Sequence, residues 1–123
     1  MRKAILFLAA TVAFFFAIPI SAQAQKPATW KGGTPGKVSD WNCAANWQEG
    51  RVPNEFSDVL IPDVSTGSNA FPVISCRVES VNTLTLLSGA RLDIARTGSL
   101  EVSFALKTYG VCKLQNHGTL VVP

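Results

Sequence analysis

Three cysteines and one histidine are the residues best suited to metal or thiol chemistry in this 123-residue chain. Zinc sites want closely spaced ligand pairs such as C-x2-C. Cys43, Cys76, Cys112 and His117 have no such spacing, so no metal and no cofactor is expected. His117 precedes Gly118 in a turn-like stretch, with neither a G-x-S-x-G nor a Cys-His pattern nearby. It reads as a solvated turn histidine. The carboxylates Asp40, Glu49, Glu55, Asp58, Asp63, Glu79, Asp93 and Glu101 form no evident ladder. Glycoside hydrolysis needs two of them facing each other across ~5–10 Å, and calcium needs several oxygens from one short loop. Neither arrangement is legible, so no catalytic residue is assigned and the chain is read as non-enzymatic. Trp30, Trp41 and Trp47 remain. Their rings could stack on sugars, or cover an apolar end of the fold, and the cap is the favoured reading. Asn42 and Asn46 read as turn-fixing residues.

The N-terminus supplies the context for these groups. Arg2 and Lys3 precede an uncharged apolar run from Ala4 to Ile20, followed by Ala22-Gln23-Ala24. This is the pattern of a secretory signal peptide, cleaved after Ala24. The mature chain then begins at Gln25, with no membrane span. Without Arg2 and Lys3, nine basic residues face eight acidic ones. A net charge of about +1 gives no support for nucleic-acid binding. Export also places the cysteines in an oxidising compartment, where a disulfide is expected.

The elements that must position these residues change in texture along the chain. Residues 25–55 are rich in Gly, Pro, Trp and Asn, without helical period, and read as an N-terminal cap. Residues 56–123 show short β-type runs with period-two alternation, split by turn residues. Within them Leu84–Ser103 aligns on Phe104–Pro123 at an offset of 20. Leu84 falls over Phe104, Leu92 over Cys112, Ile94 over Leu114, Leu100 over Leu120 and Gly98 over Gly118. Stacked coils at ~4.8 Å would bury the inward residues and pair the backbone from coil to coil. The expected fold is all-β: a short right-handed parallel β-helix of about 20-residue coils. An antiparallel β-sandwich is the alternative.

Several motifs carry a resemblance. They are Trp30-Lys31-Gly32, Trp41-Asn42 through Asn46-Trp47, Val52-Pro53 and Asp58-Val59-Leu60-Ile61-Pro62, followed by rungs such as Leu84-Thr85-Leu86. Together they resemble the N-terminal β-helix region of bacterial secreted and surface adhesins of the autotransporter-like type. The resemblance implies an exported, adhesive or structural solenoid at or outside the cell surface, with surface glycans or proteins as partners. A carbohydrate-binding or polysaccharide-active β-helix is the alternative.

The repeat yields three finer expectations. Asp93 and Lys113 should be stacked neighbours. Cys112, in the inward slot of Leu92, should stay a buried thiol, leaving Cys43 and Cys76 to form the disulfide. The coils should be uncapped at the C-terminal side, with Leu114, Leu120 and Val122 at an open edge prone to end-to-end self-association.

Overall fold

The computed structural model describes residues 25–123. The expected signal peptide, 1–24, lies outside the described residues. Eight strands and one 3-10 turn follow: β1 Lys26–Thr29, the turn Ala44–Asn46, β2 Ser57–Ile61, β3 Val73–Ile74, β4 Val81–Leu86, β5 Arg91–Ile94, β6 Ser99–Thr108, β7 Lys113–Asn116 and β8 Thr119–Val121. Alternation explains the strands. In β2 the buried residues are Ser57, Val59 and Ile61, with Asp58 and Leu60 between them. In β5, Leu92 and Ile94 point inward while Arg91 and Asp93 point out.

The strands assemble into two sheets. One has the order β1-β2-β4-β6-β8 and the other β3-β5-β7. Every strand-to-strand pairing is parallel. The antiparallel sandwich is thereby excluded. The one antiparallel contact among the described residues is an isolated bridge between Trp30 and Trp47. The Trp-rich segment is more than a cover, because it supplies β1, the first strand of the larger sheet.

From β2 onward, successive strands mostly alternate between sheets, and each pairs with the strand two places on. The long β6 serves two neighbours. Its start, Ser99–Glu101, lies beside β8, and its later part lies beside β4. Inside sits one apolar cluster that includes Val59, Ile61, Ile74, Leu84, Leu92 and Leu100. Each such side chain contributes about 1.5–3 kcal/mol by leaving water.

The register differs from the expected uniform offset. Leu100 does pair with Leu120, 20 residues on. Leu84, however, pairs with Leu106, and Leu92 with Leu114, both 22 residues on. Asp93 therefore lies beside Gln115, and Lys113 beside Arg91, so the expected Asp93–Lys113 pair does not form. Asp93 instead meets Arg91 on its own strand, at 3.1 Å. The extra residues come from two places. One is the turn 95–98, across which the offset rises from 20 at Ile74–Ile94 to 22 at Arg77–Ser99, and the other is a bulge in β6, where Val81 opposes Val102 but Thr83 opposes Ala105. The shorter turn 117–118 returns the offset to 20. The bulge turns Phe104 outward, to 70% exposure, and gives its inward place to Leu106.

Gly98 and Gly118 hold one corner. A Cβ on Gly98 would strike the Ile74 carbonyl oxygen, and one on Gly118 would strike that of Gly98. Adjacent turns approach too closely there for any side chain, and the Thr119 amide donates to the Gly98 carbonyl at 3.1 Å.

Candidate functional site

The tryptophans form a single buried cluster. Trp30, Trp41 and Trp47 are exposed by 1% or less. Trp47 stacks edge-on against both others, with ring centroids 5.2 Å from Trp30 and 4.9 Å from Trp41. The Trp30 indole donates to the Ala70 carbonyl at 2.8 Å, and the Trp47 indole to the Trp41 carbonyl at 2.9 Å. No ring face is left for a sugar, so any glycan contact has to come from other residues. The Trp41 Nε1–H is buried without a hydrogen-bond partner among the described residues.

Asn46 ties this region together. It is fully buried, and its Nδ2 donates to the carbonyls of Lys37 and Asp40 at 2.7 and 3.0 Å. Its Oδ1 accepts from the Thr34 amide at 3.0 Å. Its backbone carbonyl takes the amides of Lys31 and Gly32. Both amide hydrogens are used and the group is fully buried, so this asparagine has no donor to offer a ligand and no oxygen within a ligand's reach. Asn42 is exposed and lies across the chain from Cys76, its Nδ2 donating to the Sγ at 3.2 Å.

The cysteines are unpaired in this structure. Cys43 is half-buried, Cys76 exposed, and Cys112 half-buried against the core. Cys112 also lines a small apolar cleft of about 240 Å³ with Phe71 and Val111. No group of three or more His, Cys, Asp or Glu among the described residues is placed to hold a metal ion. His117 is exposed, and its backbone amide donates to the Ile94 carbonyl at 2.8 Å.

Most carboxylates are occupied locally. Asp40 accepts from the Asn42 amide at 2.9 Å, and Glu49 from the Thr29 amide at 2.8 Å. Asp63 accepts from Ser65; the serine hydroxyl, and then its amide, hold the carboxyl below the usual value of 3.8. Glu79 and Glu101 come together with Arg77 along an open cleft of about 600 Å³. The sequence reading missed this pair because it used an offset of 20, whereas the two are 22 apart, the spacing from Arg77 to its bridge partner Ser99.

A second cleft, shallow and about 500 Å³, lies on the outer face of β2, β4 and β6. Asp58, Asn82, Thr83, Thr85, Phe104 and Lys107 line it. Asp58 is fixed there by two bonds to one oxygen: Asn82 Nδ2 donates to Oδ1 at 2.8 Å and Thr83 Oγ1 at 2.9 Å. Among the solvent-facing groups, this is the most organised combination of charge, amide, hydroxyl and aromatic ring. Sequence reasoning had placed Phe104 in the core.

The fold and these faces define an all-β protein built from serially paired parallel strands. Residues 29–122 match a family described as a domain of unknown function, DUF8693, and the chain belongs to that family. No curated protein and no solved structure matches it.

Proposed function

We propose that this is an exported β-solenoid module, a short right-handed parallel β-helix with a structural or adhesive role at or outside the bacterial cell surface. One observation carries the reading: from β2 to β6, each strand pairs in parallel with the strand two places on. Coils wound around one core produce that pattern, and right-handed crossings are the strong default for parallel strands. The Trp cluster seals one end of the core. At the other end, β7 and β8 are the last strands of their sheets. The secretory pattern before Gln25 supports export, and the resemblance of the Trp-rich motifs to surface adhesins supports the location. The role is non-catalytic: the outward faces hold ligand-sized surface, and the buried groups serve the fold.

Cells that produce the chain should carry a form beginning at Gln25 outside the cytoplasmic membrane. They should also adhere to coated surfaces more than cells lacking it. Intact mass of the fractionated protein and a bead-adhesion assay measure both. An uncleaved cytoplasmic product, or export without any change in adhesion, would overturn the proposal.

A further inference from the structure

The outer face of β2, β4 and β6 carries an aromatic ring that its strand pattern would otherwise bury. Leu100 and Val102 alternate inward along β6, and the next inward position would be Phe104. The bulge opposite Asn82 breaks the alternation, so that Ser103 and Phe104 both face solvent. Bulges recur where a side chain must be re-aimed. The re-aimed phenyl stands at the cleft beside a carboxylate that is already oriented. Asp58 Oδ1 takes two hydrogen bonds, from Asn82 and Thr83, whereas Oδ2 takes none from the described residues. The register brings Asp58 beside Thr83 and Ala105, and Leu60 beside Thr85 and Lys107, so a carboxylate and an ammonium flank the same patch.

We infer that this cleft binds a neutral, hydroxyl-rich saccharide. The apolar C–H face of a pyranose ring lies on Phe104, whose ring presents its negative π-face to those hydrogens. Sugar hydroxyls donate to the free Oδ2 of Asp58 and accept from Lys107 and Thr85. Opposite charges side by side favour a neutral ligand over a polyanion. The cleft volume falls within the range of ordinary small-ligand sites, about 300–1,000 Å³. A peptide adding a strand would use the edge of β6 beyond Glu101, which pairs only with β4 among the described residues; the re-aimed ring and the oriented carboxylate stand on the outer face instead, and favour a saccharide. The inference deepens the adhesive reading above, and rests on it for its biological use.

The test is an NMR titration of the exported protein, made from the full chain, with soluble hexasaccharides of β-linked glucose, β-linked N-acetylglucosamine and α-linked mannose. At least one should give saturable shifts at the amides of Thr83, Thr85 and Phe104–Lys107, with a dissociation constant of about 1 mM or tighter. Phe104→Ala should weaken binding at least about tenfold without lowering the thermal midpoint, and Phe104→Trp should retain it. Asp58→Asn should also weaken it. The site is rejected if none of the three sugars shifts these amides, or if Phe104→Ala binds as the parent does. It is also rejected if Phe104→Ala alters sedimentation instead, which would assign the ring to contact between copies. Loss of the site with export and adhesion intact would sink this inference alone. Failure of export would sink the wider reading.

Discussion

The side chain of Asn42 donates a 3.2 Å hydrogen bond to the sulfur of Cys76, bringing the neighbour of one cysteine onto another. A parallel bridge places Asp40 beside Val73, and three residues further along each segment comes a cysteine, Cys43 on one and Cys76 on the other. We predict that these two thiols join when the protein matures in an oxidising compartment. The bond would close a loop of a length that stabilises by ~3–4 kcal/mol if unstrained. Peptide mass mapping of unreduced, exported protein should find Cys43 linked to Cys76 and Cys112 free. A bridge containing Cys112 would refute the pairing.

The tryptophan cluster predicts unequal costs for similar changes. Trp47→Phe removes an indole that donates to the Trp41 carbonyl. It leaves that acceptor buried and unpaired, at about 1–3 kcal/mol plus the lost volume. Trp41→Phe removes an N–H that had no partner, so it should cost less. Trp47→Ala should cost about 3–5 kcal/mol, a large share of an ordinary domain's stability. Urea unfolding of the three variants measures the order; a Trp41→Phe variant less stable than Trp47→Phe would contradict it.

At the glycine corner the prediction is steric. Gly98→Ala and Gly118→Ala place a methyl against a carbonyl oxygen of the adjacent turn, and each should cost roughly 1–3 kcal/mol. Gly67→Ala is the control. Its nearest neighbour would be the Val64 carbonyl oxygen at 3.7 Å, an ordinary contact. It should be neutral or slightly stabilising, by up to ~1 kcal/mol. Thermal unfolding of the three distinguishes them.

Asp63 predicts a pH effect confined to its turn. Its carboxyl is held below 3.8 by the hydroxyl and amide of Ser65. A depressed carboxyl stabilises the folded turn above its unfolded value, and that contribution is lost as pH falls through the folded value. The turn 63–65 should therefore loosen only below about pH 4, and Asp63→Asn should remove the dependence. The Ser65 amide shift, followed by NMR from pH 6 to pH 2, reports it. A midpoint above 3.8 would contradict the assignment.

The last strands predict association. Val111 is 82% exposed, and Val121 and Val122 are 50% and 43% exposed. β7 and β8 each have a partner strand on one side only among the described residues. Leu114 and Leu120 are better covered than expected, being partly buried against the core. Sedimentation should show association that rises with concentration. Val121→Lys should weaken it, because charge on a strand edge opposes pairing. A parent chain that stays monomeric at all concentrations would end this reading.

Much of this architecture could be read from alternation, and the failures have two sources. Side chains in a strand repeat every two residues, so an error of two in the offset leaves every inward residue inward. Leu92 over Cys112 and Leu92 over Leu114 satisfy the same pattern, and polarity alone cannot choose between them. The glycine corner was legible because close approach admits only one residue type, and Gly98 and Gly118 kept their offset of 20. Phe104 was misread for the opposite reason. A bulge interrupts the alternation at Ser103 and Phe104, and nothing in Val102-Ser103-Phe104 announces it. The Glu79–Glu101 pairing was lost with the same wrong offset. Asp58, although noted as a carboxylate, gained its meaning only from Asn82 and Thr83 on a neighbouring strand.

The serial pairing of the strands also gives the molecule a direction in time. Trp30, Trp41 and Trp47 lie close together in sequence and form their cluster with short loops, and short loops close fastest. If the chain is exported as proposed and threaded outward N-terminus first, it delivers this cluster before the later strands. Each following strand then meets a finished edge of matching register, and adds to it without searching for a partner. Under the proposed export, assembly of that kind would run as a ratchet: every strand laid down outside the membrane would make backward sliding costlier, and folding itself would draw the chain out.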